Sequence, residues 1–413
     1  MKGERMDGFR APSAGDFGSY EGLVGHQGDH LARLGQWSAG QCSNTQGFDE
    51  GLLLLPMLAI VPEVAQFFEG KIAQATRGMH LIAGKVHETS AEYTRTDEDN
   101  AASLRSLYPS AFGGALGNFG SSGLPGAGMV GNFTDEAVEP KEPKSAEADE
   151  AHSITLGLHL VSQDQIMKLA DTLFQWCTGQ SLSQLLVTPL LGEFGRLRYL
   201  SDAYDELGDG LYTVAGTLRK GSWKLGTEWQ GATAAAFDQY LFAWTMGIGG
   251  IGDAAKDAAK AFKIGYDTTV ALAIAALRDI NDMINNEIKD LAEQAKQMVE
   301  ADAAVEVAGG GPEDPVADVI AAGIDVWKLY KIYKDVEKIC KRINAVIGIF
   351  KKIEKAIAEI KKAVSAIESA INSPMPTLGS LIDQVEQRGF EFEKNGGWSP
   401  VLGAGRIAML PAA

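Results

Sequence analysis

Apolar residues recur at steps of three and four positions through most of the chain, which is the spacing of one face of an α-helix. The clearest row precedes Trp229 and consists of Phe194, Leu197, Leu200, Tyr204, Leu207, Leu211, Val214, Leu218 and Leu225. The pattern restarts after Gly231, a residue type that reverses the chain at positive φ without a Cβ clash. Trp229-Gln230-Gly231 is therefore predicted to form the tip of a helical hairpin.

A second, less regular hairpin is predicted nearer the N-terminus. A short helix through Leu23 and Trp37 precedes a polar break, and a second apolar row then runs from Leu58 to Tyr93. Pro62 lies early in that row and marks either a kink or the first helical turn, since proline is tolerated at a helix start.

The most regular stretch of the sequence lies in the C-terminal part. Its apolar seam comprises Leu329, Ile332, Val336, Ile339, Ile343, Val346, Phe350, Ile353, Ile357, Ile360, Val364, Ile367 and Ile371. Strict alternation of three- and four-residue steps predicts a heptad helix. The predicted fold class is all-α, with helical hairpins packed as a four-helix-type bundle and a long C-terminal heptad helix.

Changes in composition divide the chain into seven segments. They are a flexible arm (1–18), the first helical hairpin (19–108), a Gly/Pro/acidic linker (109–153), the Trp-x-Gly helical domain (154–306), a second linker (307–323), the heptad helix (324–373), and a short helix with a flexible tail (374–413). Runs of Gly and Pro with charged residues are typical of linkers, which supports these boundaries.

Charge and cysteine content narrow the class of protein. A net charge of -17 argues against nucleic acid as a partner, because phosphate binding needs a clustered basic face. The three cysteines, Cys42, Cys177 and Cys340, are far apart and suggest no disulfide framework. The sequence predicts neither a cleaved signal peptide nor a stretch of the ~20 apolar residues that a membrane-spanning helix needs.

No motif for catalysis, cofactor or metal binding emerges. Gly247-x-Gly249-x-x-Gly252 has the spacing of a dinucleotide-binding loop, but that loop must follow a strand, and the residues before Gly247 have a helical pattern. A flexible break or hinge in a helix is predicted there. His26 and His30 share a helical face, as do His80 and His87, but neither pair has a third ligand, so surface histidines are expected. We expect no enzymatic activity.

The heptad segment has three possible roles. Between 325 and 372 there are eleven Lys or Arg and six Asp or Glu, a basic surplus in an acidic protein. The seam could pack against the chain's own helices or join copies of the protein, and the helix could lie on an anionic membrane. The residues singled out for self-assembly or membrane contact are Ile339, Ile343, Phe350, Ile353, Lys351 and Lys352.

Tyr93 and Asp97 lie four positions apart after the long helix of the first hairpin, so they share a helical face. Together with Trp229-Gln230-Gly231 and the following Ala-Ala-Ala-Phe, this pair resembles the Trp-x-Gly substrates of type VII (ESX) secretion systems of actinobacteria and firmicutes. Residues 93–97 look like that system's Tyr-x-x-x-Asp export signal. The first hairpin is similar to EspC-like substrates, with residues 47–52 in place of the Trp-x-Gly turn, and the presence of both parts in one chain resembles the EspB-like arrangement.

The resemblance implies export of a prefolded bundle by a membrane ATPase that recognises Tyr93 and Asp97 together with Trp229 and Gly231. It implies a non-enzymatic structural or interaction protein that is secreted or associated with the cell envelope without a cleaved signal peptide. The expected partners are the secretion ATPase, a second copy or another ESX-type substrate, and an anionic membrane surface. Two alternatives stay open: a membrane-active effector that uses the basic helix, and a cytosolic coiled-coil protein.

Overall fold

The structure is a computed structural model that describes residues 12–92, 102–103, 106, 131–294, 296–297, 326–371, 390–392 and 398–400. The eight main helices are α1 (Ala14–Gln41), α2 (Met57–Glu92), α3 (His152–Gln163), α4 (Gln165–Thr178), α5 (Leu182–Leu186), α6 (Gly195–Glu228), α7 (Ala232–Met283) and α8 (Val326–Ile371). Short 3-10 turns occupy Ala146–Ala148 and Thr188–Leu190, and α7 continues into a π-helical turn at Ile284–Ile288. The all-α prediction is confirmed.

The first hairpin begins earlier than predicted. Ser13 and Asp16 form a capping box, in which the Ser13 hydroxyl accepts from the Asp16 N–H and the Asp16 carboxylate accepts from the Ser13 N–H. Phe17, one turn later, is buried. The assignment of residues 1–18 to a flexible arm is therefore wrong from Ser13 onward, because the glycines and serines near this end concealed a helix start.

Glycines on α1 allow α2 to pack closely against it. A Cβ on Gly28 would lie 3.2 Å from Met79, and one on Gly35 would lie 3.2 Å from Ile72. Pro62 lies inside α2, within its second turn, so the helix starts at Met57 rather than at the proline. The polar break between the helices ends in a turn at Gly47, where φ is +81°.

The turn of the first hairpin packs against the segment that leads into α6. The Glu193 N–H donates to the Gly47 carbonyl oxygen at 2.9 Å, and Phe48 is fully buried beside it. A Cβ on Gly51 would overlap the Leu191 backbone, so only glycine fits there. This contact fixes one end of the first hairpin to the start of the second.

Helices α1, α2, α6 and the first half of α7 form the predicted four-helix bundle. Gly221 on α6 faces the Tyr20 and Leu23 side chains of α1, and any Cβ at this position would meet both of them. On the other side of the bundle, the rings of Phe68 on α2 and Tyr204 on α6 lie 5.3 Å apart between centroids. The two hairpins therefore share one core.

The predicted break at Gly247–Gly252 is absent, because α7 is continuous from Ala232 to Met283. All six residues of this stretch are buried. Gly252 faces the Tyr212 ring, which a Cβ would meet at 2.7 Å. These glycines serve close helix packing rather than bending, so neither a hinge nor a dinucleotide loop is present.

Helix α8 runs antiparallel to the second half of α7. The Arg342 guanidinium pairs with Glu287 at 3.2 Å, and the Gln294 amide donates to Asp335 at 3.0 Å. The apolar seam of α8 extends the core of the bundle, and α3, α4 and α5 also contribute to this part of it. The buried seam residues are Ile332, Val336, Ile339, Ile343, Val346, Phe350, Ile353, Ile357, Ile360, Val364 and Ile367.

The interior position of this seam corrects one interpretation of α8. Ile339, Ile343, Phe350 and Ile353 were predicted as a surface for self-assembly or membrane contact, but the chain's own helices cover them. Lys351 and Lys352 are exposed, as a solvated helix face requires. These four apolar residues are therefore not available to a membrane or to a second copy in this conformation.

Part of the predicted acidic linker is a strap on the bundle. Residues 131–145 form neither helix nor strand, and the Gln27 amide of α1 donates to Asp135 at 2.6 Å. Lys220 of α6 pairs with Glu136 at 2.5 Å, and Val138 is buried. The linker assignment of 109–153 is therefore wrong for 131 onward, and 109–130 lies outside the described residues.

His30 of α1 also contacts this strap. Its Nδ1 accepts from the Val138 N–H at 3.4 Å, and burial lowers the pKa of His30.

The other domain boundaries predicted from the sequence differ less from those in the structure. Helix α3 begins at His152, just before the predicted start of the second domain at 154. The second linker at 307–323 lies outside the described residues, and so does most of 374–413. Within that tail, Phe390–Phe392 and Trp398–Pro400 form a two-stranded antiparallel hairpin, whose second strand contacts α6 and α7. A β-hairpin was not expected from the sequence.

Replacing Gly78 by Ala tests the close packing of α2 on α7. A Cβ at Gly78 would overlap the fully buried Trp244 ring, so we expect a loss of about 1–3 kcal/mol in unfolding free energy. Gly70→Ala and Gly84→Ala are matched controls on the same helix, since no atom lies within 4 Å of the added methyl group. In urea unfolding, the free energy of unfolding of those variants should rise by up to about 1 kcal/mol, because alanine has a higher helix propensity than glycine. Equal stability of all three would contradict the packing.

Candidate functional site: the Trp229 end of the bundle

The predicted hairpin tip is present between α6 and α7. Helix α6 ends at Glu228, and the Trp229 N–H donates to the Leu225 carbonyl oxygen at 3.0 Å. Gly231 has φ +128°, a conformation that L side chains rarely adopt, and its carbonyl oxygen accepts from the Ala235 N–H at 3.1 Å. Gln230 and Gly231 are exposed, so the backbone of the turn is open to solvent.

The Trp229 ring folds back into the bundle. Only 2% of the residue is exposed. Its ring lies 5.0 Å from the Phe17 ring in an edge-on arrangement and 5.4 Å from the Phe237 ring. The indole N–H has no hydrogen-bond partner among the described residues, so the ring is held by packing. Trp229 thus joins α1 to the second hairpin.

Phe17 is the member of this cluster that the sequence did not predict. It was assigned to the flexible arm, although it lies three positions before Tyr20 on the same helical face. Tyr20 contacts the Phe237 ring at 5.9 Å, and its hydroxyl donates to the Leu218 carbonyl oxygen at 3.3 Å. Burial raises the pKa of Tyr20, so this hydroxyl stays protonated and keeps its role as a donor.

A buried ion pair lies just below the aromatic cluster. Arg219 of α6 is fully buried, and its Nη1 donates to Asp238 of α7 at 2.6 Å and to the Ser222 hydroxyl at 3.1 Å. The guanidinium also lies 5.1 Å from the centre of the Phe242 ring. Its Nε and Nη2 atoms have no acceptor among the described residues. The pair therefore connects the two arms of the hairpin close to its turn.

The end of α2 lies at this same end of the bundle. His87 of α2 is 3.2 Å from Glu21 of α1, one turn beyond Phe17, and Phe17 contacts Trp229. The last residue of α2, Glu92, directly precedes Tyr93 in the sequence. Tyr93 and Asp97 themselves lie outside the described residues.

His26, His80 and His87 are exposed, whereas His30 is buried, so the prediction of surface histidines is wrong for His30. His26 lies 3.4 Å from Asp135 of the strap, and His30 lies 3.8 Å from the same carboxylate. The described parts of the chain contain no group of three His, Cys, Asp or Glu residues that could hold a metal ion. None of the helices described is both long enough and apolar enough to cross a membrane.

Comparisons with known proteins add no relative. No protein-family model matches the sequence, and neither the curated proteins nor the solved structures give a significant match.

Trp229→Ala should lower the free energy of unfolding by about 3–5 kcal/mol, because it empties a buried aromatic site that three helices line. Trp176→Ala is the matched control, since 40% of that residue is exposed on α4. In urea unfolding followed by far-ultraviolet circular dichroism, Trp176→Ala should lower the free energy of unfolding much less than Trp229→Ala does. An unchanged melting temperature in Trp229→Ala would place the ring outside the core.

Asp238→Ala should destabilise the protein by about 3–5 kcal/mol, because it leaves the buried Arg219 guanidinium without a counter-charge. Adding Arg219→Met to the same chain removes that uncompensated charge and should restore most of the lost stability. A double variant no more stable than Asp238→Ala would show that the pair is not coupled. The double-mutant cycle completed with Arg219→Met measures the coupling.

Proposed function

We propose that this protein is a non-enzymatic substrate of a type VII (ESX) secretion system, exported as a folded helical bundle and acting as a structural or interaction protein. One observation carries the proposal. The Trp229–Gly231 turn and Glu92, the last described residue of α2, lie at the same end of one bundle, and Tyr93-x-x-x-Asp97 follows Glu92 directly in the sequence. A secretion ATPase could then contact both elements together.

The exposed and buried parts of the turn suggest different roles. Trp229 is buried and stabilises the end of the bundle, whereas the backbone at Gln230 and Gly231 is open to solvent. A partner at this end would therefore contact the turn backbone and the residues after α2, and the tryptophan would hold their scaffold. Recognition of this kind requires a prefolded bundle.

The same geometry explains how one chain can carry both the Trp-x-Gly turn and the export signal. In the family that the chain resembles, the turn and the signal commonly belong to two partner chains. Here both hairpins share a single core, with Gly221 against α1 and Phe68 against Tyr204. No separate partner chain is needed to bring the turn and the end of α2 together.

The membrane-active alternative receives less support. An amphipathic helix binds a bilayer by burying its apolar face at the interface, and the apolar seam of α8 is already buried in this chain. A second copy or another ESX-type substrate remains a partner class for the exposed surfaces. Secretion into the medium or retention at the cell envelope both agree with this function.

Tyr93→Ala and Asp97→Ala should each remove the protein from the culture filtrate of an actinobacterial host with an active type VII system. Cell-associated protein should keep its helical circular dichroism and melting temperature, because alanine preserves helix propensity and the core residues of α2, up to Val86, are unchanged. Tyr333→Ala is the control, since that tyrosine is exposed on α8, far from the Trp229 turn in sequence, and its export should be unchanged. A host without the secretion ATPase should retain all forms. Undiminished export of both signal variants would contradict the assignment.

A further inference from the structure

A groove with a volume of about 440 Å³ runs along the surface between α7 and α8. It is lined by residues from 261–268 of α7 and from 352–363 of α8. This volume lies within the range of roughly 300–1,000 Å³ that is usual for small-molecule sites. The groove lies on the second half of α7, away from the Trp229 turn.

Small side chains create the groove. Gly265 lets Ile360 approach so closely that any Cβ on Gly265 would overlap it, and this contact forms the floor. Ala261, Ala356 and Ala363 are too short to fill the space on either side. At the rim, Ile264 is 67% exposed, which leaves a large aliphatic side chain in contact with water. The lining is therefore mostly apolar and open to a ligand.

The antiparallel register gives the groove two unlike ends. Gly265 lies opposite Ile360, and Glu287 further along α7 pairs with Arg342 earlier on α8. Thr268 and the two lysines of the lining, Lys352 and Lys355, therefore gather toward one end. Ala261 and Ala363 mark the other end, and Glu359 lines the groove between them, one turn from Lys355 and one turn from Ala363. The lysine end is cationic, and the side chains of Ala261 and Ala363 at the other end are apolar.

The two lysines differ from the other charged side chains nearby. On α7, Lys260 pairs with Asp257 and Lys263 pairs with Asp267, each at 3.2 Å. The carboxylate of Glu359, which also lines the groove, lies 3.8 Å from Lys362. Lys352 and Lys355 have no acidic partner among the described residues, although the whole chain carries a charge of -17. Positive charge is thus available at the polar end of the groove.

We propose that this groove binds a single-chain carboxylate amphiphile, a free fatty acid, with its carboxylate at Lys352 and Lys355 and its chain along Ile264, Gly265 and Ile360. Charge complementarity selects the anionic head, and the apolar lining selects the aliphatic chain. The span from 352 to 363 is about 17 Å at the helical rise, which suits one extended chain of medium length. This binding does not depend on export.

Isothermal titration calorimetry with dodecanoate, below its micelle concentration, tests the site on the full chain. The unaltered protein should bind with a stoichiometry of one. Lys352→Gln with Lys355→Gln should weaken the affinity at least tenfold, and Ala356→Leu, which fills the groove, should do the same. The matched control is Lys351→Gln with Lys361→Gln, two exposed lysines of the same helix that do not line the groove, and it should bind like the unaltered protein.

Three further ligands separate this site from other kinds of binding. Dodecyltrimethylammonium should bind at least tenfold more weakly than dodecanoate, because its head is cationic, and octanoate should bind more weakly because its chain is shorter. Phosphatidylglycerol vesicles should not compete with dodecanoate. No dodecanoate binding, equal affinity in the groove and control variants, or binding to the vesicles alone would each overturn the proposal. Circular dichroism of every variant checks that the fold is kept.

Discussion

The structure depends on the burial of one helix, α7, on almost every side of its first thirty residues. From Thr233 to Phe262 this helix is lined by α6, α1 and α2, and a helix buried all round must be apolar or small at nearly every position. The stretch around Gly247–Gly252 meets this requirement with glycines, and Tyr212 occupies the space that a side chain would take at Gly252. The second half of the same helix then supplies the surface on which α8 packs.

Helical periodicity predicted the elements well, because the core is built from long rows at three- and four-residue steps. The rows before Trp229 and through Ile353 are buried as the pattern indicates. The glycines misled twice in the same direction. Gly247–Gly252 was expected to break a helix, and Gly15 was expected to belong to a loose arm, yet both lie in helices. A glycine shows that the backbone is permissive, but only the neighbouring helix decides whether that freedom is used for a turn or for close approach.

Long-range polar contacts could not be predicted for a similar reason. Arg219 and Asp238 look like ordinary surface residues in the sequence, and only the crossing of α6 and α7 brings them together inside the core. The acidic strap has the composition of a linker, but His30, Gln27 and Lys220 provide partners for it on α1 and α6. At the candidate site, the turn at Gly231 was predictable from residue type, whereas the contact of Trp229 with Phe17 required the tertiary fold.

The continuity of α7 has a consequence for how the protein folds. One helix of 52 residues, about 78 Å long, packs on α6 along its first half and on α8 along its second half, so neither half can unpack without exposing helix that the other half needs. The bundle and α8 thus form one continuous core, although the chain contains segments with the composition of linkers. Contacts such as Phe17 with Trp229 join residues about two hundred positions apart, so chain closure over long loops must precede the completed core. A nascent chain therefore completes the four-helix bundle only after the first half of α7 has been synthesised.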